Sequence, residues 1–226
     1  MISQMLQRHH LIWLDPLLDV TPCTPDFGHA AFVRGWAVEE RPFVVARQPK
    51  QSLMGATHIA LGLSLPKPAT RQRISLYVPK EAILRQSAPM ELRLSMAPAP
   101  HWQMLISRIL DICTTAHVTP CVYGSLLWQT ISNREYITDT SDLDVLFVCN
   151  NSSNMNLLLD SLASLNESGP RLDGEILAPA GWAVAWRELA TVRTSGAPVS
   201  VLAKSLYDAR LISLDEFFKG KWGVTC

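Results

Sequence analysis

One short stretch limits what this chain can fold into more than any other: an acidic pair inside an apolar run. Asp142 and Asp144 lie in SDLDVLFV, and sixteen residues separate them from the Gly124-Ser125 pair that begins GSLLWQTI. The apolar run predicts a strand, and residues i and i+2 of a strand project from the same face. The two carboxylates are therefore predicted to lie together, with Cα atoms about 6–7 Å apart.

Two neighbouring carboxylates repel unless one is protonated or a cation lies between them. Mg²⁺ suits this position, because it prefers carboxylate oxygens and keeps coordination positions for phosphates. A glycine where a strand turns into a helix lets the backbone approach a phosphate, and the first N–H groups of the helix bind anions. The pattern predicts a Mg²⁺–polyphosphate site in which Asp142 and Asp144 hold the metal and Gly124 and Ser125 bind phosphate.

Further charged residues are candidates for the same site. Asp173 and Glu175 lie in LDGEI, again at i and i+2 of a predicted strand, and either could be a third carboxylate that holds the metal or acts as a catalytic base. The candidates for binding substrate phosphates are Lys204, Arg187 and Arg134. An EF-hand is excluded, since Val145 and Leu146 follow the acidic pair where a calcium loop needs a glycine turn.

Each of these features has an alternative interpretation. An Asp-x-Asp is often a solvated strand end, a Gly-Ser pair is often a turn, and Asp173 and Glu175 could be the solvent face of a hairpin. The three basic residues could equally be solvated. The order of the features favours the site: a strand, Gly-Ser, a helix, a strand with Asp-x-Asp, then an acidic strand.

Composition limits the class of protein. Twenty basic residues balance twenty acidic ones, whereas proteins that bind nucleic acid along their length usually carry a basic excess. No apolar stretch approaches the roughly 18 residues of a membrane span, and the start of the chain lacks the pattern of a signal peptide. The five cysteines form no C-x-x-C pair, which favours reduced thiols. We expect a cytoplasmic protein with no nucleic-acid or membrane partner.

Two domains are predicted from a change of pattern near a proline-rich segment at 89–100. Residues 1–95 show short predicted strands between prolines, followed by KEAILRQ, which could form one or two helical turns. Residues 96–226 alternate helices and strands, with a hairpin predicted between RLDGEILAP and AGWAVAWREL. The expected fold class is α+β, with a mixed sheet and helices in the C-terminal domain and a small β-rich N-terminal domain.

The N-terminal domain carries a basic pair, Arg71 and Arg73, on either side of one glutamine. This pair is either a solvated sheet edge or part of a basic surface for substrate phosphates or an acidic protein partner.

Two levels of resemblance follow from these motifs. YGS followed by SDLDVL resembles the signature of the polymerase-beta-like nucleotidyltransferase superfamily. Almost the whole chain resembles a narrower family, the malonate decarboxylase holo-acyl-carrier-protein synthases, also called phosphoribosyl-dephospho-CoA transferases. The segments that carry this second resemblance are RHHLIWLDP, RQRISLYVPKEAIL, YGSLLWQTI with TDTSDLDVLF, RLDGEILAPAGWAVAWREL, and VLAKS.

The resemblance implies an enzyme with a specific reaction. Such an enzyme takes 2′-(5″-triphosphoribosyl)-3′-dephospho-CoA and attaches its phosphoribosyl-dephospho-CoA group to a serine of the apo acyl-carrier subunit of malonate decarboxylase, with release of pyrophosphate. Mg²⁺ is the expected cofactor. Two alternatives are a nucleotidyltransferase with another acceptor, such as the citrate lyase carrier protein or a small hydroxylated molecule, and a non-catalytic nucleotide-binding module.

Overall fold

The computed structural model describes residues 6–17, 27–49, 57–67, 73–165, 169–195 and 200–219. The chain divides into two compact units. The first consists of 1–89, with 128–136 and 206–208. The second consists of 90–127, 137–205 and 209–226. No helix of the described ranges is both long and apolar enough to cross a membrane.

The first unit is built on a five-stranded antiparallel sheet in the order β4-β3-β2-β1-β5. Its strands are β1 (Leu11–Leu14), β2 (Phe43–Val45), β3 (His58–Ser64), β4 (Arg73–Pro79) and β5 (Ile83–Ser87). One helix, α1 (Phe27–Val38), joins β1 to β2, and a 3-10 turn (Lys80–Ala82) precedes β5.

Alternation of side chains gives this sheet its buried face. In β4 the residues Ile74, Leu76 and Val78 are fully buried, while the residues between them are exposed. The same cluster contains Trp36 of α1 and Trp128, whose rings meet edge to face with centroids 5.8 Å apart. The apolar core of the unit therefore lies between the sheet and the aromatic rings of Trp36 and Trp128.

Two parts of the first unit differ from the sequence-based expectation. The segment FGHAAFVRGWAV forms α1, which the pattern of short strands did not predict. Its apolar residues are not confined to one stripe, and packing of Val33 and Trp36 against the sheet stabilises the helix instead. KEAILRQ forms only the 3-10 turn and then β5, because the segment pairs with β1.

The second unit contains a six-stranded mixed sheet in the order β11-β10-β9-β8-β7-β6. Its strands are β6 (Thr119–Val122), β7 (Leu143–Val148), β8 (Leu172–Leu177), β9 (Ala183–Ala185), β10 (Ser200–Lys204) and β11 (Ala209–Ser213). The helices of this half of the chain are α2 (Pro100–Ala116), α3 (Gly124–Ser132), α4 (Ser152–Ala163), α5 (Trp186–Ser195) and α6 (Leu214–Lys219). From residue 128 on, α3 belongs to the first unit.

Local sequence explains where the two longest of these helices begin. Proline at the first position of α2 has no N–H to leave unpaired, and the left-handed His117 (φ 53°) ends that helix. The side chain of Asn151 accepts a hydrogen bond from the backbone N–H of Asn154 and caps α4. Apolar spacing predicts both helices, the first in HWQMLISRILDICTTAH and the second from Asn154 to Glu167. Both are present, and the second begins two residues earlier and ends at Ala163.

Strands β7 and β8 run parallel, and the other neighbouring pairs of this sheet are antiparallel. On one face of β8, Gly174 has no room for a side chain: a Cβ there would lie 2.8 Å from the ring of Phe147 and 3.3 Å from the ring of Trp186. That close packing at the first residue of α5 defines the back face of the sheet. The opposite face, which we call the front face, carries the odd-numbered residues of β8.

The predicted α+β class, with a β-rich first part and a mixed sheet with helices in the second, is confirmed. The predicted hairpin is also present as β8 and β9. Its second strand is shorter than expected, because Trp186 already begins α5. Within the proline-rich segment, Met90 and Leu92 form backbone hydrogen bonds along the edge of β6. The segment LDEFFKG predicts a closing helix with Gly220 beyond its end. That helix is α6, and Gly220 lies outside the described residues.

Candidate active site

In the candidate site, the carboxylate of Asp144 lies close to the backbone of Gly124. Gly124 has a left-handed backbone (φ 65°), and a Cβ placed on it would lie 1.7 Å from Oδ2 of Asp144. The adjacent Tyr123 donates its backbone N–H to the carbonyl of Asp144 at 3.1 Å. Glycine is therefore needed at 124 both for its backbone conformation and because the carboxylate occupies the space of a side chain.

A second carboxylate lies beside Asp144 on the next strand. Asp173 is the register partner of Asp144 in the parallel pair, so the two residues share the front face with Cα atoms about 4.8 Å apart. Asp173 is exposed, whereas Asp144 is half-buried. Asp142, also half-buried, directly precedes the first residue of β7, so the strand holds one acid of the Asp-x-Asp pair and not both.

Glu175 has a different partner. It is buried, and its Oε1 accepts a hydrogen bond from the Nζ of Lys204 at 2.6 Å. Glu175 is in register with Leu146, not with an aspartate of β7. Of the two candidates for a third carboxylate, Asp173 is therefore the one that lies next to Asp144.

Two more predicted residues lie in the second unit. Ser125 is half-buried in the first turn of α3, where backbone N–H groups have no partner within the helix. Arg187 stacks its guanidinium 4.3 Å from the ring centre of Trp186 and donates to the carbonyl of Leu172 at 3.4 Å. Leu172 is the first residue of β8 and directly precedes Asp173. Arg187 therefore reaches the start of this strand, next to its acidic residues.

The other predicted basic residues belong to the first unit. Arg134 pairs with Glu39, with Nη2 and Oε1 2.9 Å apart, and lies over the ring of Phe32. Arg73 is the exposed first residue of β4. Arg71 lies outside the described residues. Arg134 is therefore held in an ion pair within the first unit, and Arg73 lies at the exposed start of a strand.

The donor set of the front face fits a magnesium ion shared with phosphates. Within the described part of the chain, no three His, Cys, Asp or Glu side chains are gathered closely enough to form a metal site by themselves. Mg²⁺ commonly binds through one or two carboxylates and completes its shell with water and substrate phosphates. Asp144, held against the glycine that begins α3, and the preceding Asp142 are suitable carboxylates for this mode.

The three described cysteines of the second unit are poorly suited to nucleophilic or metal-binding chemistry. Burial raises the pKa of Cys113, Cys121 and Cys149 to about 12 each. A nucleophilic or metal-binding cysteine needs a thiolate, which these environments disfavour at neutral pH. All three are free and buried, as the prediction of reduced thiols requires.

Comparison with known proteins assigns both halves of the chain to one family. Residues 89–215 match the family model described as the phosphoribosyl-dephospho-CoA transferase MdcG C-terminal domain, and residues 7–89 match that of the N-terminal domain. The chain belongs to the phosphoribosyl-dephospho-CoA transferase family. It is accordingly a transferase of the nucleotidyltransferase type, which sets aside the alternative of a non-catalytic module.

Similar proteins of known name span nearly the full chain. A phosphoribosyl-dephospho-CoA transferase of Bradyrhizobium diazoefficiens is 30% identical over 96% of this chain and 94% of its own length. One from Xanthomonas euvesicatoria is 33% identical over 92% of this chain and 94% of its own length. One from Xanthomonas axonopodis is 30% identical over 96% of this chain and 99% of its own length. No solved structure matches the chain.

Two contacts of the candidate site were not evident from the sequence. The first is the contact of Gly124 with Asp144, and the second is the ion pair of Lys204 with Glu175. All four residues were candidates, but the sequence did not predict these partners. The order of the strands in the folded sheet brings these residues together. The sequence indicated only the spacing of the residues within β7 and within β8.

Proposed function

We propose that this transferase attaches the phosphoribosyl-dephospho-CoA group of 2′-(5″-triphosphoribosyl)-3′-dephospho-CoA to a serine of the apo acyl-carrier subunit of malonate decarboxylase, and that pyrophosphate leaves. The observation that carries the proposal is the position of the Asp144 carboxylate, which fills the side-chain space of Gly124 at the start of α3. The names of the relatives support the transferred group.

The start of α3 is suited to the phosphates of such a substrate. The first backbone N–H groups of a helix point outward with the positive end of the helix dipole, and the hydroxyl of Ser125 adds a donor. Arg187, which contacts the first residue of β8, supplies a guanidinium for a phosphate that extends beyond this turn. These groups position the triphosphate and offset part of its charge.

Asp142 and Asp144 are the residues that would hold Mg²⁺. When bound, the ion neutralises charge on the triphosphate oxygens and so favours departure of pyrophosphate. We assign Asp173, and not Glu175, as the third acidic residue of the site, because Asp173 is in register with Asp144 while Glu175 is paired with Lys204.

The reaction forms one bond and breaks one. The serine oxygen of the acceptor bonds to the α-phosphorus, and the bond from that phosphorus to the bridging oxygen breaks, with its electron pair leaving on pyrophosphate. The serine proton goes to a carboxylate of the front face. Asp173 is our candidate for this base, since it is exposed beside Asp144 and can be reached by an acceptor.

The test is a competition among acceptors. Purified protein, the triphosphoribosyl substrate and Mg²⁺ are incubated with the apo malonate decarboxylase subunit, the apo citrate lyase carrier protein or a small hydroxylated compound. Intact mass and released pyrophosphate are measured. We expect the mass of one phosphoribosyl-dephospho-CoA group on the malonate decarboxylase subunit alone, none on its serine-to-alanine variant, and none after chelation of Mg²⁺ until the ion is restored.

Other results have a defined meaning. Mass added only to the citrate lyase carrier or to the small compound would replace the acceptor that we propose. Full activity in a chelator would remove Mg²⁺ from the proposal. Absence of transfer to every acceptor, with a folded protein and intact substrate, would refute the proposed reaction.

A further inference from the structure

The ion pair between Lys204 and Glu175 is asymmetric in a way that points to a role beyond stability. The side chain of Glu175 is 8% exposed, while that of Lys204 is 35% exposed. A carboxylate at such depth needs an opposite charge or hydrogen bonds to stay ionised. Lys204 provides the opposite charge, so the buried acid fixes the ammonium group of a side chain that is still partly exposed to solvent.

Strand register places this ammonium on the front face. Glu175 pairs with Ala185 of β9, and Ala183, two residues earlier, pairs with Lys204 of β10. Residues that are paired or two apart on neighbouring strands share a face. Lys204 therefore lies on the same face as Asp144 and Asp173, at the far side of Glu175.

A phosphate bound at this mostly acidic face needs a positive charge beside it. Among the described residues of the strands that share the front face, Lys204 is the cation and stands beside an acidic row, Asp144, Asp173 and Glu175. An ammonium group has three N–H donors, and in the described part of the chain Glu175 takes up one of them. The remaining donors suit the oxygens of a phosphate.

We propose that Lys204 binds the β- and γ-phosphates that become pyrophosphate, and that Glu175 is the positioning residue which holds its ammonium in place. This inference rests on the function proposed above. As the bond between the α- and β-phosphates breaks, negative charge develops on the leaving group, and a prepositioned cation stabilises it without reorientation. Lys204 donates hydrogen bonds and keeps its proton, so the balance of the reaction is unchanged.

The experiment compares four variants at this pair: Lys204→Met, Lys204→Arg, Glu175→Gln and the double variant Lys204→Met with Glu175→Met. Arg93→Met, an exposed position of the second unit, is the control for loss of one positive charge. For each protein, thermal unfolding, kcat, KM, inhibition by pyrophosphate and the Mg²⁺ concentration for half-maximal rate are measured. Binding of tripolyphosphate with Mg²⁺ is measured by calorimetry without any acceptor.

We expect Lys204→Met to lower kcat by roughly 10²–10³-fold, as loss of one transition-state donor does in other enzymes. Pyrophosphate and tripolyphosphate should bind at least roughly tenfold more weakly, which corresponds to about one unit of log affinity. The Mg²⁺ requirement should change little. The double variant should recover the thermal stability that the single change loses, because an apolar pair can replace a buried ion pair, yet kcat should stay low. Lys204→Arg should recover part of kcat.

Glu175→Gln separates positioning from metal binding. If Glu175 only positions Lys204, the variant lowers kcat less than Lys204→Met does and leaves the Mg²⁺ requirement unchanged. A Mg²⁺ requirement raised more than tenfold in Glu175→Gln would make Glu175 a metal ligand and overturn the inference. Recovery of kcat in the double variant would also overturn it, because the pair would then be purely structural.

Failure of the proposed function is distinguishable from failure of the inference. If the unmodified protein transfers nothing to any acceptor but binds tripolyphosphate, and Lys204→Met weakens that binding, the proposed reaction is refuted and the role of Lys204 in phosphate binding stands. If transfer occurs and Lys204→Met binds tripolyphosphate as tightly as the unmodified protein, the proposed function stands and the inference is refuted.

Discussion

Gly124 and Gly174 are both too crowded to carry a side chain, but they are crowded by different kinds of atoms. At Gly124, on the front face, a Cβ would meet the carboxylate of Asp144. At Gly174, on the back face, it would meet a carbonyl oxygen of Val145 at 2.9 Å and the rings of Phe147 and Trp186. The first crowding positions a charged group at the surface of the site, and the second is part of the apolar core.

From this difference we expect the two faces of the sheet to have separate roles: the front face in the chemistry and the back face in stability. A change at a half-buried polar group of the front face, such as Asp144, should lower turnover and leave folding largely intact. A change on the back face should lower stability and leave the turnover of each folded molecule unaltered. Substitutions at matched positions can break or sharpen this contrast.

The largest effect is expected for Asp144→Asn on the front face. Loss of a carboxylate that we propose to hold Mg²⁺ removes several kcal/mol of charge stabilisation, which corresponds to a fall in turnover of roughly 10³-fold. Steady-state rates and thermal unfolding test this, with Asp111→Asn on the exposed side of α2 as the control for loss of an acidic charge. A near-normal rate in Asp144→Asn would remove this residue from the site.

Gly124→Ala should lower turnover by roughly 10²-fold, because the added methyl group displaces Asp144 and a 1 Å misplacement in a site costs about that much. It should also cost about 1–2 kcal/mol of stability from the left-handed backbone. Gly181→Ala is the matched control. Gly181 has φ 81° with nothing within 4 Å of a Cβ, so it should lose similar stability and keep its activity. Equal rates in the two variants would contradict the steric explanation.

Gly174→Ala should destabilise the protein by about 1–3 kcal/mol, the usual cost of overpacking a core. The turnover of each folded molecule should stay within about twofold of the unmodified enzyme, because the methyl group points away from the front face. Denaturant unfolding and rates corrected for the folded fraction provide the measurement. A large loss of turnover at unchanged stability would show that the two faces are not separate.

The smallest effect is expected at Gly35, which lies in α1 of the first unit with nothing within 4 Å of a Cβ. Gly35→Ala should raise stability by about 0.5–1 kcal/mol, since alanine loses less conformational entropy in a helix. Turnover should be unaffected. Lower stability in this variant would indicate that crowding does not explain the ranking of the effects at Gly124, Gly174 and Gly35.

Sequence patterns predicted the second unit better than the first. The strand containing Asp144 and the helix with Trp102 and Leu105 follow from apolar periodicity, which survives because one face of each element is buried. The helix α1 was not predicted, because its residues have a weak apolar stripe and packing stabilises it. The return of 128–136 and 206–208 to the first unit also has no signal in the local sequence.

The amino-acid sequence by itself determined the family and supplied the candidate site residues: an acidic pair on an apolar strand, a glycine before a helix, and a second acidic strand. Tertiary structure decided which of them are neighbours. The parallel pairing of β7 with β8 places Asp173 beside Asp144, and the insertion of β9 brings Lys204 to Glu175. The reason is that spacing along a strand is fixed by covalent geometry, whereas strand order depends on the packing of the whole sheet.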